Sequence, residues 1–358
     1  MDSVVALVKR AGNNALSENP TVANIDITTH ASDWLWAVFS IMLLSALILF
    51  GLSFTKPIGQ RAFHELAAAI CFTASIAYFA MASDLGATPV QVEYIRGGSL
   101  GQNWVDVGVQ NPTRSFWYAR YIDWTITTPL LLLELALATG LPLSQIFTLI
   151  FFDILMIVTG LIGGLVPSVY KWGFFAFGCA ALVAIWFILL GPGRASAARL
   201  GSDFHKAYLT STIILSFLWL LYPISWILSE GANVITPTGE MVFYGVLDLF
   251  AKPVYCFIHV MAISKLDYAR LGFTSGKYSD GAAPLLNEKN GHYSAAETPR
   301  ASMAPSTNTH ATNGVNGASH GHPSTTGTPA WTPSTARNPA VSSGLNDGLH
   351  SNHTVETA

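Results

Sequence analysis

Charge is what this sequence has least of. Asp, Glu, Lys and Arg make up 11% of its 358 residues, against about 25% in ordinary soluble domains, so a water-facing surface of normal size could not be covered. A soluble globular protein is thereby nearly excluded. Lys and Arg number 18 against 21 Asp and Glu, a net charge of −3, and without a basic surplus a nucleic-acid partner is excluded too. Cysteine is scarce. Cys71, Cys179 and Cys256 all sit in apolar runs, with no CxxC or Cys/His spacing. Neither a disulfide framework nor a metal site is expected, and they read as small buried hydrophobes. The first thirty residues lack the basic start, apolar stretch and small-residue cleavage site of a signal peptide, and no internal repeat is visible.

What the chain has instead is long apolar runs. They lie near 34–54, 62–83, 116–138, 142–165, 170–191, 204–229 and 241–264, each close to the roughly 20 residues that cross a bilayer as a helix. Lipid offers the backbone no hydrogen-bond partner, so each run is expected to be helical. The fold class expected is an all-α membrane protein, a seven-transmembrane-helix bundle over 31–272. It has an extracellular segment at 1–30 and a disordered cytoplasmic tail at 273–358, rich in Ser, Thr, Asn, Gly and Pro. Six tail histidines (292, 310, 320, 322, 350 and 353) read as part of a solvated linker. Short loops on one side carry Lys56, Arg61, Arg194, Arg199, Lys206, Lys265 and Arg270, whereas the other side has mainly Arg96, Arg114 and Lys171. That bias puts the N-terminus outside and the C-terminus in the cytoplasm. In the long outer loop, about 85–115, the alternating Val105-Asp-Val-Gly-Val109 predicts a short hairpin.

Ionisable groups inside such runs cost roughly 2.5–3.5 kcal/mol each on insertion scales, so each needs a reason. The third run, Arg120-Tyr-Ile-Asp-Trp-Thr-Ile-Thr-Thr-Pro-Leu-Leu-Leu-Leu-Glu134, holds three of them. Eleven residues separate Asp123 from Glu134, which returns a helix to within roughly 20° of the same face, about 16 Å further along. In the seventh run Asp248 and Lys252 are i and i+4 neighbours. A lysine near the midplane reads either as half of a structural ion pair or as an amine able to condense with an aldehyde. Trp124, and Trp219, Tyr222 and Trp226 on one face of the sixth run, read either as core packing, the commoner use of such a stripe, or as a box suited to a flat polyene.

Arg120-Tyr-Ile-Asp-Trp with Thr127-Thr-Pro-Leu-Leu-Leu-Leu-Glu134, Trp219-Leu-Leu-Tyr-Pro-Ile-Ser-Trp226 and Leu247-Asp-Leu-Phe-Ala-Lys252 resemble the third, sixth and seventh helix signatures of microbial rhodopsins, most like the fungal branch. The likeness spans about 34–270 and rests on three ordered motifs on separate helices. It implies all-trans retinal on Lys252 as a protonated Schiff base. Asp123 and Asp248 become the counterions, with Arg120 completing a neutral cluster. Asp123 becomes the proton acceptor with Thr127 hydrogen-bonded to it, Tyr222 the support of Asp248, and Glu134 the cytoplasmic proton donor. Leu130 to Leu133 and Leu135 around Glu134 desolvate that carboxyl and favour its neutral, proton-carrying form. By the same resemblance Glu230 and Glu240 match the proton-release pair of bacteriorhodopsin, although solvated loop carboxylates are the alternative. Thr128 and Asp153 match an interhelical hydrogen bond near the chromophore. Met156, Gly160 and Pro223 match pocket-lining residues, and Leu131 stands where leucine accompanies green absorption. Three departures stand out: the donor is Glu rather than Asp, His64 falls where the archaeal pump has threonine, and Ser75 replaces a tyrosine near the counterion.

The expected function is light-driven outward proton pumping, not enzyme catalysis, because the third helix has both an acceptor and a donor carboxyl. The alternative is a slow-cycling sensory photoreceptor with little net transport. Expected partners are the lipid bilayer and protons, with a second copy of the chain and a cytoplasmic partner of the tail as further candidates. The plasma membrane is the default location.

Overall fold

The computed structural model describes residues 12–94 and 111–271. The Val105–Val109 run, Arg96 and the tail from 273 lie outside the described residues. Among the described residues seven long helices follow one another: α1 (Thr29–Ser53), α2 (Ala62–Ala82), α3 (Tyr118–Leu137), α4 (Leu143–Leu165), α5 (Lys171–Leu200), α6 (Ser202–Gly231) and α7 (Pro237–Ile263). Six are long and apolar enough to cross a membrane; α3 is the remaining one, and it carries Arg120, Asp123 and Glu134. Local chemistry fixes several ends. The Thr28 hydroxyl accepts from the Ala31 amide at the start of α1, and Thr236 accepts from Gly239 ahead of Pro237 in α7, each satisfying an otherwise free donor of the first turn.

The polarity is that of a protein in lipid. Phe187 is 75% exposed and Phe147 68%, while Arg120, Asp123, Glu134, Asp153, Asp248 and Lys252 are all buried. Apolar groups facing outward and ionisable groups facing inward are what a bilayer selects. Two close approaches run through glycine, one between helices and one against the segment that precedes α3. A Cβ on Gly245 of α7 would meet the Trp34 indole of α1 at 2.5 Å, and one on Gly164 of α4 would overlap the Phe116 ring.

Three helices contain π-helical turns, at Leu189–Gly193, Ile227–Gly231 and Phe250–Val254. The first carries α5 through Pro192 to Leu200, nine residues beyond the run read from hydropathy. The third contains Lys252 and Pro253; proline lacks the amide that would bond the carbonyl four residues back, so the ladder opens beside the lysine.

At one end of the bundle β1 (Thr88–Gln91) pairs antiparallel with β2 (Thr113–Phe116), Thr88 opposite Phe116 and Gln91 opposite Thr113. An antiparallel strand pair, hereafter the hairpin, does form in the long loop, on residues that flank the valine run, which itself lies outside the described residues. Ile25 joins its edge through bonds to Thr113 and Ser115, both 2.9 Å. Beside it Asp84, with φ 58°, is buried and faces Asp26, and burial followed by repulsion from Asp26 raises its carboxyl to about 7. The native state then keeps a proton that the unfolded chain loses near 3.8, so stability falls as pH rises between those values and levels off above them. In Asp84→Asn, a residue that tolerates positive φ, thermal unfolding midpoints lose that downward pH slope. The same slope in variant and wild type would remove Asp84 as its source.

Candidate functional site

Lys252 Nζ lies 2.7 Å from Asp123 Oδ2 and 3.0 Å from Asp248 Oδ1. A buried cation between two carboxylates recovers by pairing what it lost in hydration. The two carboxylates differ in their other contacts. Asp248 accepts from Tyr222 at 2.6 Å and from Tyr78 at 2.7 Å. The Thr127 hydroxyl donates to the Asp123 main-chain carbonyl at 2.9 Å and stays in electrostatic reach of the carboxylate, whose Oδ1 has no hydrogen-bond partner among the described residues. Asp123 therefore has a free lone-pair position and Asp248 is held by two phenols.

Tyr78 corrects the sequence reading of α2. Ser75 donates to its own helix, at Phe72, and the tyrosine thought absent is supplied by Tyr78, three residues on. Arg120 is also placed differently. Its guanidinium bonds Glu240 at 2.6 Å, lies 3.8 Å from Glu230 and 4.2 Å from the Tyr244 ring centre, so it balances the glutamates and not the aspartates.

The side chains of those glutamates, 4% exposed in Glu230 and 1% in Glu240, are enclosed and not solvated. Glu240 is shared by Arg120 and Arg114, the latter at 2.8 Å, while Arg114 also donates to Asn233 and to the Ile235 carbonyl, both at 2.6 Å. Glu230 accepts from Ser229 and from the Tyr121 and Tyr244 hydroxyls, each at 3.3 Å. Arg114 comes from β2, which ties the hairpin to the ends of α6 and α7. Sequence reasoning counted it only as a loop charge.

A cavity opens from Lys252, lined mainly by aromatic and aliphatic side chains with few polar groups, the character of small-molecule sites. Trp124, Trp219, Tyr222 and Trp226 wall it, and Leu131, Met156, Gly160, Pro223 and Thr128 also line it. Thr128 donates to Asp153 at 2.8 Å, joining α3 to α4.

Residues 29–266 match the sequence model of the Bacteriorhodopsin-like protein family. The chain belongs to the bacteriorhodopsin-like family. Protein FDD123 of Trametes versicolor is 48% identical over 276 residues, covering 77% of this chain and 93% of that protein. Opsin-like protein carO of Fusarium fujikuroi is 45% identical, covering 73% and 84%. Among solved structures, the light-driven proton pump LR (Mac) from Leptosphaeria maculans superposes with TM-score 0.62 at 32% identity, over 68% of this chain and 100% of that one.

The family generally carries retinal, and the residues present fit such a group. The bacteriorhodopsin-like cavity is walled by flat aromatic and aliphatic surface, with one amine and two carboxylates where a polar linkage must be stabilised. Glu134 lies apart from this cluster on α3, fully buried, and neither of its carboxyl oxygens has a hydrogen-bond partner among the described residues. His64, on α2, is not hydrogen-bonded to it.

Proposed function

We propose that this protein is a light-driven outward proton pump that carries all-trans retinal on Lys252. The observation that carries the reading is the pair of unlike carboxyls along α3. Asp123 is 2.7 Å from Nζ and Glu134 is buried eleven residues further on, without a charged partner. Retinal, when bound, supplies a light-absorbing polyene and a photoisomerisation that changes the direction and proton affinity of the linkage at Nζ.

The chain's own residues then account for direction. Asp123, with one oxygen free, receives the proton from the Lys252 nitrogen. Asp248 is the less open acceptor, because two phenols already donate to its two oxygens. Towards the hairpin end, Lys252, Arg120 and Arg114 face Asp123, Asp248, Glu230 and Glu240. Three cations against four carboxyls leave room for one proton, and Glu230 among three hydroxyls is the group placed to hold and release it. Glu134 stores the proton that returns to Nζ from the opposite side. The positive-inside bias supports placing the hairpin end outside.

The test is extracellular pH during illumination of retinal-supplied cells making this chain. Acidification that a protonophore abolishes is expected. A coloured protein with no pH change would put the slow-cycling photoreceptor first.

A further inference from the structure

Beyond the site above, polar groups gather where α3, α6 and α7 meet at the end opposite the hairpin. His259 lies seven residues past Lys252, two helical turns or about 10 Å, and is fully buried. Its Nδ1 is 2.9 Å from the Ser211 hydroxyl of α6. The ring stacks on Tyr255, 5.7 Å between centres and 11° between planes, and approaches the main-chain carbonyl of Glu134. The Tyr255 phenol is in electrostatic reach of the Glu134 carboxyl. Yet His259 Nε2, the Tyr255 hydroxyl and both Glu134 carboxyl oxygens have no hydrogen-bond partner among the described residues.

Buried polar atoms are nearly always satisfied, so four orphans converging from two helices call for a reason. Packing supplies none, because a leucine would fill the space beside Tyr255 without leaving a donor or acceptor unpaired. Proton passage does. Imidazole can accept a proton on one nitrogen and yield one from the other, and Ser211 fixes which nitrogen is bonded at rest. Outward of His259 the aromatic packing runs past Phe63, 6.0 Å away, whose apolar ring carries no proton, to the Tyr268 ring beyond the end of α7, 5.7 Å from Phe63.

We propose that His259, held by Ser211, is the proton relay that reloads Glu134 from the end opposite the hairpin. The inference rests on the donor reading of Glu134. A proton from the aqueous side converts the ring to imidazolium. The ring then passes a proton to the Glu134 carboxylate, directly or across a water, giving a carboxylic acid and a neutral ring. One proton moves and no electron does.

Flash absorption of the retinal-loaded full chain separates the steps. Visible recovery reads the return of a proton to the Lys252 nitrogen, and the infrared carboxylic band that Glu134→Gln removes reads the reloading of Glu134. In His259→Asn the first step keeps its rate, while reloading slows by about tenfold or more. Azide, a small diffusible proton carrier, restores it. Reloading at wild-type speed, or slowing that azide does not relieve, would overturn the relay. If Glu134→Gln itself left the first step unchanged, the donor reading would fail instead. Should His259→Asn form no pigment, ¹⁵N-histidine labelling of wild type decides: ring bands must change in step with the Glu134 band, and their absence would sink the proposal.

Discussion

Lys252→Ala, supplied with retinal, yields a protein with no visible absorption band. Among the described residues that line the cavity Lys252 brings the one amine able to form an imine with an aldehyde, and the Cys179 thiol there cannot replace it. The substitution also leaves Asp123 and Asp248 facing each other without the cation that now stands 2.7 and 3.0 Å away. Removing one partner from a buried ion pair costs about 3–5 kcal/mol unless the remaining groups take up protons. Part of the loss therefore appears as lowered thermal stability at neutral pH, relieved on acidification. Absorption spectra of the purified variant, with size-exclusion chromatography to establish that it folds, make the check. A coloured product retaining covalently bound retinal would refute the role of Lys252.

The architecture was legible because a bilayer imposes a coarse rule: about 20 apolar residues per crossing, met by six helices on hydropathy alone. The run that becomes α3 was legible as an apolar stretch too, although Arg120, Asp123 and Glu134 weaken its character enough to leave it outside those six. Spacing along one helix also carried Asp248 and Lys252 as neighbours, because i and i+4 share a face whatever surrounds them. Contacts between helices were not legible in the same way. Arg120 sits one turn from Asp123 in sequence, yet its guanidinium turns to Glu240, 120 positions away, a choice decided by how α7 enters the bundle. Ser75 and Tyr78 differ by less than one turn, and periodicity assigns a face without fixing which residue reaches Asp248. His259 alone on an apolar helix looks like filler until α6 brings Ser211 to its ring.

Asp123→Asn is expected to keep its pigment, move its absorption to longer wavelength and stop transport. The carboxylate 2.7 Å from Nζ stabilises positive charge at the nitrogen before light is absorbed. Excitation shifts that charge along the polyene, so removing the carboxylate raises the ground state more than the excited state and narrows the gap. Asp248, 3.0 Å from Nζ, still neutralises the site, which is why the pigment survives. It does not replace Asp123 as acceptor, because Tyr78 and Tyr222 already donate to its two oxygens. Losing a positioned proton acceptor lowers the rate of transfer by about 10²-fold or more, and outward acidification falls with it. Spectra and illumination-driven pH change on one preparation read both consequences. Acidification at the wild-type rate would assign the acceptor role to another group, whereas unchanged colour with lost transport would mean that Asp123 takes the proton without being the dominant counterion.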